Sequence, residues 1–345
     1  MTVTKEKREA ILAKIVAEIG EKGEAFSPAV FARQEKTTAQ SVYRYLAMLD
    51  ERGMVRVAGA GRKKTYALAT QTAEKTFPIA GLTEETVWRV FAAPFFAPMS
   101  AIIRMNFGYA FHEILNNALE HSRGNSVRVR LRKDAFRLAA WIIDDGVGIF
   151  SNIAQALKLE DKTFAILELA KGKFTTAPQN HTGEGIFFSS KMVDDFAIAA
   201  DGIVWGALPE DVSRPAGTAV YMAIRCDHAQ SSQEIFNAFA QSADDFNFSK
   251  TLVLVKLLEY GEEIPLVVSR SQARRLTARF EQFKAVVLDF SGIEEIGQGF
   301  ADELFRVFVN QHPEVKLLTA NCAPAVQRMI AHVCGANRPA EYDGA

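Results

Sequence analysis

Hydrophobic and polar positions recur along this chain with two periods, and each switch between them marks a new element. In residues 5–20, Ile11, Leu12, Ile15, Val16 and Ile19 follow a period of 3.6, which predicts an amphipathic helix. "FSPAVFARQ" predicts a second helix, with Ser27 as N-cap and Pro28 at the first helical position. "TTAQSVYRYLAMLDERG" predicts a third, capped by Thr38, with Val42, Leu46 and Leu49 inside and Gly53 as the stop. "MVRVAGAGRKKTYAL" then predicts two short strands around a Gly-rich basic turn. Residues 71–99 read as a connector, with one helix in "GLTEETVWRVFAAPFFAP" ended by prolines.

The segment "HEILNNALEHS", His112 to Ser122, carries two kinds of face. Phe107, Phe111, Ile114, Leu115, Ala118 and Leu119 make an apolar stripe. Glu113, Asn117 and Glu120 recur every three to four residues on the opposite side, so a carboxylate and an amide stand one turn apart. Next, "SVRVRLRKD" alternates Val127, Val129 and Leu131 with Arg128, Arg130 and Arg132, a strand with one wet face. "RLAAWII" is a further strand that ends abruptly at "DDGVGI". Gly146 and Gly148 let the backbone turn tightly and approach a ligand closely. Asp144, at the end of a buried strand, needs a partner, and a purine's exocyclic amine is one candidate donor.

Farther on, "NHTGEGIFF" places Gly183 and Gly185 before a helix-like run, where free amides can meet phosphate. "FAIAADGIVWGAL" predicts a hairpin around Asp201-Gly202, and "AGTAVYMAIR" a strand with Thr218 near its start. The remainder alternates strand and helix, which implies an α/β layer. Its strands are "TLVLVKLL", "PLVVS", "FKAVVLDFSGI" and "VKLLTAN", and its helices "SQARRLTARFEQF", "QGFADELFRVFVNQ" and "APAVQRMIAHV".

These pieces resemble known families in three blocks. Residues 1–70 resemble a winged helix-turn-helix domain. Helix three would face bases with Thr38, Gln40, Ser41 and Arg44, and the wing would meet phosphates with Arg62, Lys63 and Lys64. The same module also serves protein contacts, and that alternative stays open. Residues 100–226 resemble the GHKL ATPase superfamily of gyrase, the heat-shock chaperone ATPase, histidine kinases and mismatch-repair ATPases, with its Bergerat α/β sandwich. By that resemblance Glu113 is the catalytic carboxylate acting on water, and Asn117 binds Mg²⁺ and nucleotide. Asp144 reads the adenine amine, Gly146 and Gly148 complete its box, and Thr218 backs the adenine site. Gly183 and Gly185 match the second glycine box. Thr182, where a further glycine often stands, is taken with them. "ELAKGKFTTAPQN" would be the ATP lid, with Lys171 and Lys173 as phosphate contacts. His121 and His181 could approach the phosphates or make structural hydrogen bonds, and His112 reads as packing or capping. Residues 227–345 resemble the STAS-like domain found behind GHKL domains. The phosphorylatable serine of STAS antagonists is missing from the turn at Gly297, Gln298 and Gly299, and Ser291 reads as a turn residue.

Composition narrows the setting. Charged residues are 23% and hydrophobic ones 48%, ordinary globular values that argue against disorder. Residues 1–70 hold thirteen Lys and Arg against eight Asp and Glu, a net +5, whereas the whole chain is −1. The remainder therefore sums to −6, and the basic excess suggests an anionic partner for the N-terminus or a solvated charged surface. Three scattered cysteines form no C-x-x-C pair, which argues against a disulfide framework and a zinc site. The longest uncharged apolar run, Val90 to Ile103, is broken by Pro94 and Pro98 and falls short of the roughly 20 residues that a span needs. No G-x-x-x-x-G-K-[ST] sequence is present, so ATP would not be held by a P-loop.

The expectation is an α/β multidomain protein of the cytoplasm, with ATP and Mg²⁺ as cofactors and double-stranded DNA as partner. A protein partner and a homodimer are further options. Its leading function is an ATP-controlled DNA-binding regulator. The alternatives are an anti-sigma-type serine/threonine kinase and an ATP-driven DNA clamp or defence ATPase.

Overall fold

A computed structural model of the protein describes residues 5–174, 183–209, 217–240, 248–260, 266–335 and 338–342. No helix among them is long and apolar enough to cross a membrane.

Helices α1 (Lys5–Lys22), α2 (Pro28–Gln34) and α3 (Ala39–Glu51) precede an antiparallel pair, β1 (Val55–Ala58) and β2 (Thr65–Leu68). The predicted stripes close on one another: Leu12, Ile15, Val16 and Ile19 of α1 pack with Phe31, Val42, Leu46 and Leu49. Thr38 caps α3 by accepting the Ser41 amide at 3.2 Å. Ser27 occupies the N-cap of α2 without a side-chain bond, so the fixed φ of Pro28 starts that helix.

Residues 71–78, read as connector, form a strand instead. β3 (Gln71–Pro78) pairs antiparallel with β4 (Ser126–Lys133) along its whole length. Only Phe77 in β3 is buried, so the strand carries almost no apolar alternation. An edge strand of this kind is specified by the neighbour's backbone, not by its own pattern. The connector's helix is made of α4 (Glu84–Val87), a wide turn over Trp88–Ala92, and α5 (Ala93–Phe96).

The middle of the chain is a six-stranded antiparallel sheet with helices on one face. It comprises α6 (Ala101–His121), β5 (Arg137–Asp144), α7 (Ile149–Leu157), α8 (Phe164–Lys171), α9 (Gly185–Met192), β6 (Asp195–Ala200), β7 (Ile203–Trp205) and β8 (Thr218–Arg225). The strand order is β3-β4-β5-β8-β6-β7. The apolar stripe of α6, including Phe107, Phe111, Ile114 and Leu115, packs with Val127, Val129, Leu131 and Ile142 of the sheet. The opposite face is lined by alanines and by Trp141 and Tyr221, whose rings lie 4.9 Å apart.

The C-terminal layer contains α10 (Ser232–Phe239), β9 (Lys250–Leu254), α11 (Arg270–Thr277), β10 (Ala285–Asp289) and α12 (Gln298–Asp302). A wide turn over Glu303–Phe308 leads into α13 (Val309–Gln311), then β11 (Lys316–Ala320), α14 (Pro324–Cys334) and β12 (Ala340–Glu341). The four strands are parallel in the order β12-β11-β10-β9. Three expectations fail here. The strand in "TLVLVKLL" ends at Leu254, and Val255–Glu259 form a short helical turn. Residues 266–269 of "PLVVS" form no strand; the Val267 and Val268 carbonyls accept the Gly297 and Phe300 amides at the start of α12. The helix in "SQARRLTARFEQF" stops at Thr277, because Arg279 sits at φ +68. Ser291 is a turn residue: its amide and hydroxyl both donate to Asp289 Oδ1, at 2.8 and 2.7 Å.

Aromatic rings join the two α/β layers. Phe187 lies 4.5 Å from Phe248, and Phe248 lies 5.3 Å from Phe283, centroid to centroid. Phe188 stands 4.6 Å from Phe236. One hydrophobic core therefore runs from α6 through α9 and α10 into β9 and β10, whereas the N-terminal helices have a core of their own.

Candidate functional site

The polar face of α6 borders a cavity of about 660 Å³. That size suits a small-molecule ligand. Glu113, Asn117, Asp144, Gly183, Gly185 and Thr218, drawn from four separate segments, all line it. Gly146 and Gly148 bracket Val147, which lines it too.

Asp144 ends β5 and is 5% exposed. Its Oδ1 accepts the Gly146 amide at 2.9 Å and the Thr218 amide at 3.2 Å. With Oδ1 so occupied, Oδ2 is the oxygen left to a ligand in the cavity. Burial pushes the Asp144 carboxyl above the usual carboxylate range, and the two amides partly offset that rise. Thr218 is also bound at its side chain: Oγ1 accepts the Ile149 amide at 3.0 Å, at the first residue of α7, which Gly148 caps. The neighbouring Asp145 turns outward and accepts from the Asn125 amide, the Ser126 amide and Ser126 Oγ at 2.8 to 3.0 Å. The two adjacent acids thus divide the work, Asp145 fixing the turn and Asp144 facing the cavity.

The second glycine pair closes the opposite wall. A Cβ on Gly185 would collide with the Glu113 carboxylate, so any larger residue there would push that carboxylate out of its present position. Gly183, at φ +74, lies directly against the backbone of Phe174, whose amide donates to Gly183 O at 3.1 Å.

Tyr109 also lines the cavity and was missed in the sequence. It stands four residues before Glu113, so the spacing that singled out Glu113 and Asn117 already included it. Burial, then the charges of Glu113 and Glu184, push its hydroxyl above the ordinary tyrosine value. Asn116, Glu120, His121 and Arg123 complete that side. His112 does not: it packs at 5.4 Å from the Trp88 ring, with Glu85 3.5 Å from its Nε2.

Lys171 and Lys173, expected at phosphate, face elsewhere. Lys171 is fully buried, with its ammonium on Glu168 Oε1 at 2.6 Å and on the carbonyls of Arg275 and Ala278. Burial lowers its pKa to about 8, opposed by Glu168. Lys173 donates to Gln282 O at 2.9 Å and lies over the Phe283 ring. Both serve the contact with the C-terminal layer. Thr182 and His181 lie outside the described residues, and so does the side chain of Arg62.

In the N-terminal unit, Gln40 and Arg44 are exposed at the start of α3, with Tyr43 beside them at 51% exposure. The hydroxyls of Thr38 and Ser41 lie 2.9 Å apart. Lys63 and Lys64 are exposed on the hairpin.

Comparison with known families agrees with this geometry. Residues 62–204 match the histidine kinase-like ATPase domain. Residues 272–327 match a STAS-like domain of unknown function. No curated protein matches the chain. The ATPase match stops before β8, yet β8 lies between β5 and β6 and supplies Thr218, so the sheet is complete only with it. A domain of this family binds nucleotide, typically with Mg²⁺. Among the described residues no cluster of three acidic, His or Cys side chains could hold a metal alone.

Replacing Asp144 by Asn removes the charge and puts a donor where an acceptor is needed. ATP binding should weaken by roughly 1.5–3 kcal/mol, the range for hydrogen bonds to charged groups, as read by calorimetry. The pH dependence has opposite signs in the empty and bound states. A carboxyl raised by burial costs the empty fold stability as pH rises through its value, because the charged form is the disfavoured one. If Asp144 receives the adenine amine, the charged form is the one favoured in the complex, and ATP affinity should fall as pH drops, starting above the ordinary carboxylate range. The titration should vanish in Asp144→Asn.

Proposed function

We propose that the chain is an ATP-dependent regulator whose N-terminal unit, read as a winged helix, binds double-stranded DNA. One observation carries the nucleotide part: a buried aspartate has one oxygen saturated by backbone amides and lies in one cavity with Glu113 and Asn117. Asp144 and Thr218 hold the adenine. Asn117 would hold the Mg²⁺ that comes with the phosphates, and the ion would supply charge neutralisation there. Glu113 orients water and takes its proton, from a wall that Gly185 keeps close. Gly183 and Gly185 leave backbone amides near the phosphates at the start of α9.

The DNA part rests on exposure and charge. Gln40 and Arg44 occupy the free N-terminal end of α3, and Lys63 and Lys64 the free hairpin, in a segment with a net charge of +5. A helix end of this kind reads base edges, and a basic hairpin meets backbone phosphate. A gel shift at fixed salt, with and without ATP, tests the whole reading; unchanged DNA affinity would separate the two activities.

Two substitutions divide the roles. Glu113→Ala should keep ATP binding, because the carboxylate acts on water, and lose about 10²–10⁴-fold in hydrolysis. Wild-type turnover in that variant would remove Glu113 from catalysis. In the hairpin, replacing Lys63 and Lys64 by Ala should flatten the plot of log K against log salt by about 0.9 per lost phosphate contact. An unchanged slope would show that this hairpin stays off DNA.

A further inference from the structure

The wall of the cavity at Gly172 and Phe174 is not held by the ATPase domain alone. Arg279, from the C-terminal layer, donates from one guanidinium nitrogen to Glu168 Oε2 at 2.7 Å. Its other terminal nitrogen donates to the carbonyls of Gly172 at 3.0 Å and Lys173 at 2.6 Å. The second oxygen of Glu168 takes Lys171, and Lys171 in turn reaches the carbonyls of Arg275 and Ala278. Thr251 Oγ1 donates to Lys171 O at 2.8 Å. Glu168 is 3% exposed and Lys171 not at all, so these charges are out of water and depend on one another.

Arg279 accepts an unfavourable backbone to do this. Its φ of +68 lies in the left-handed region, which a long L side chain avoids, and it follows the end of α11 by two residues.

From the residues that Arg279 grips, contacts run straight to the catalytic face. Gly172 and Phe174 line the cavity themselves. The Phe174 amide donates to Gly183 O, Gly183 lies against the Phe174 backbone, and Gly185 lies against the Glu113 carboxylate. We propose that Arg279 is a positioning residue of the nucleotide site, through which the C-terminal layer sets the wall at 172–174 and hence ATP affinity. This rests on the cavity being the nucleotide site. By linkage, ATP must tighten the docking of the C-terminal layer by the same factor by which that docking tightens ATP.

The test compares the full-length wild type, Arg279→Ala and Arg279→Lys. Calorimetry with Mg-ATP and with adenosine is combined with hydrogen exchange measured without nucleotide. The expected result is an ATP affinity about five- to 150-fold weaker in Arg279→Ala, the usual span of coupling between sites. Arg279→Lys should lose less, since one ammonium can meet some of the three acceptors. Adenosine, held at the Asp144 end, should bind as in wild type, and the Phe174 amide should exchange faster. Equal ATP affinity in wild type and Arg279→Ala overturns the proposal and leaves the nucleotide site standing. An equal loss for adenosine and ATP overturns it as well, because a general loosening would act on both ends. A wild type that binds no ATP overturns the nucleotide reading and this proposal with it. If Arg279→Ala does not fold, Arg279→Lys and Thr251→Val, which removes the bond to Lys171 O, decide the matter by the same readouts.

Discussion

Helix α6 has to satisfy two environments at once. One side must be apolar enough to seal a sheet, and the other must hold an acid and an amide beside a cavity. Phe107, Phe111, Ile114 and Leu115 meet the first demand, with essentially no exposure. Tyr109, Glu113 and Asn117 meet the second, because a spacing of four keeps them on one line of the helix. The sheet side anchors the helix, so the cavity side can hold polar groups at fixed positions. The rest of the site is placed by reference to this helix: β5 brings Asp144, β8 brings Thr218, and α9 brings Gly185, whose missing side chain leaves the Glu113 carboxylate where it is.

The far wall shows a different economy of charge. Glu168, Lys171 and Arg279 form a cluster, largely out of water, held by hydrogen bonds between the charges and to backbone carbonyls. Such a cluster adds little net stability compared with apolar packing, but it tolerates few alternative arrangements. Phenylalanines around it supply the cohesion, and the ions supply the register.

Much of the site was legible because its signals are local. A glycine pair after an aspartate, or an acid and an amide at helical spacing, depends on backbone geometry within a few residues, and sequence records that directly. Asp201-Gly202 likewise forms the turn of the hairpin between β6 and β7. What escaped was set by distant partners. β3 is a strand because β4 lies beside it, and its own alternation is nearly blank. Lys171 and Lys173 are expected at phosphate because the family resemblance places them in the ATP lid, and nothing local in the sequence shows that they face another layer instead. The break in the helix predicted over "SQARRLTARFEQF", at Arg279, had no cue either: no glycine or proline marks it, and three acceptors that Arg279 meets lie more than a hundred residues earlier.

The ring contacts among Phe187, Phe188, Phe236, Phe248 and Phe283 have a bearing on how the molecule comes apart. A core without a seam cannot melt on one side only, since opening either layer exposes the rings of both. The central sheet and the parallel sheet therefore share one core, although each matches a different family. The first three helices and their hairpin are another body, with a separate interior that meets the sheet where Phe136 lies beside Gly20. Division by family match and division by shared interior fall at different places in this chain, and it is the second that decides which pieces can unfold as wholes.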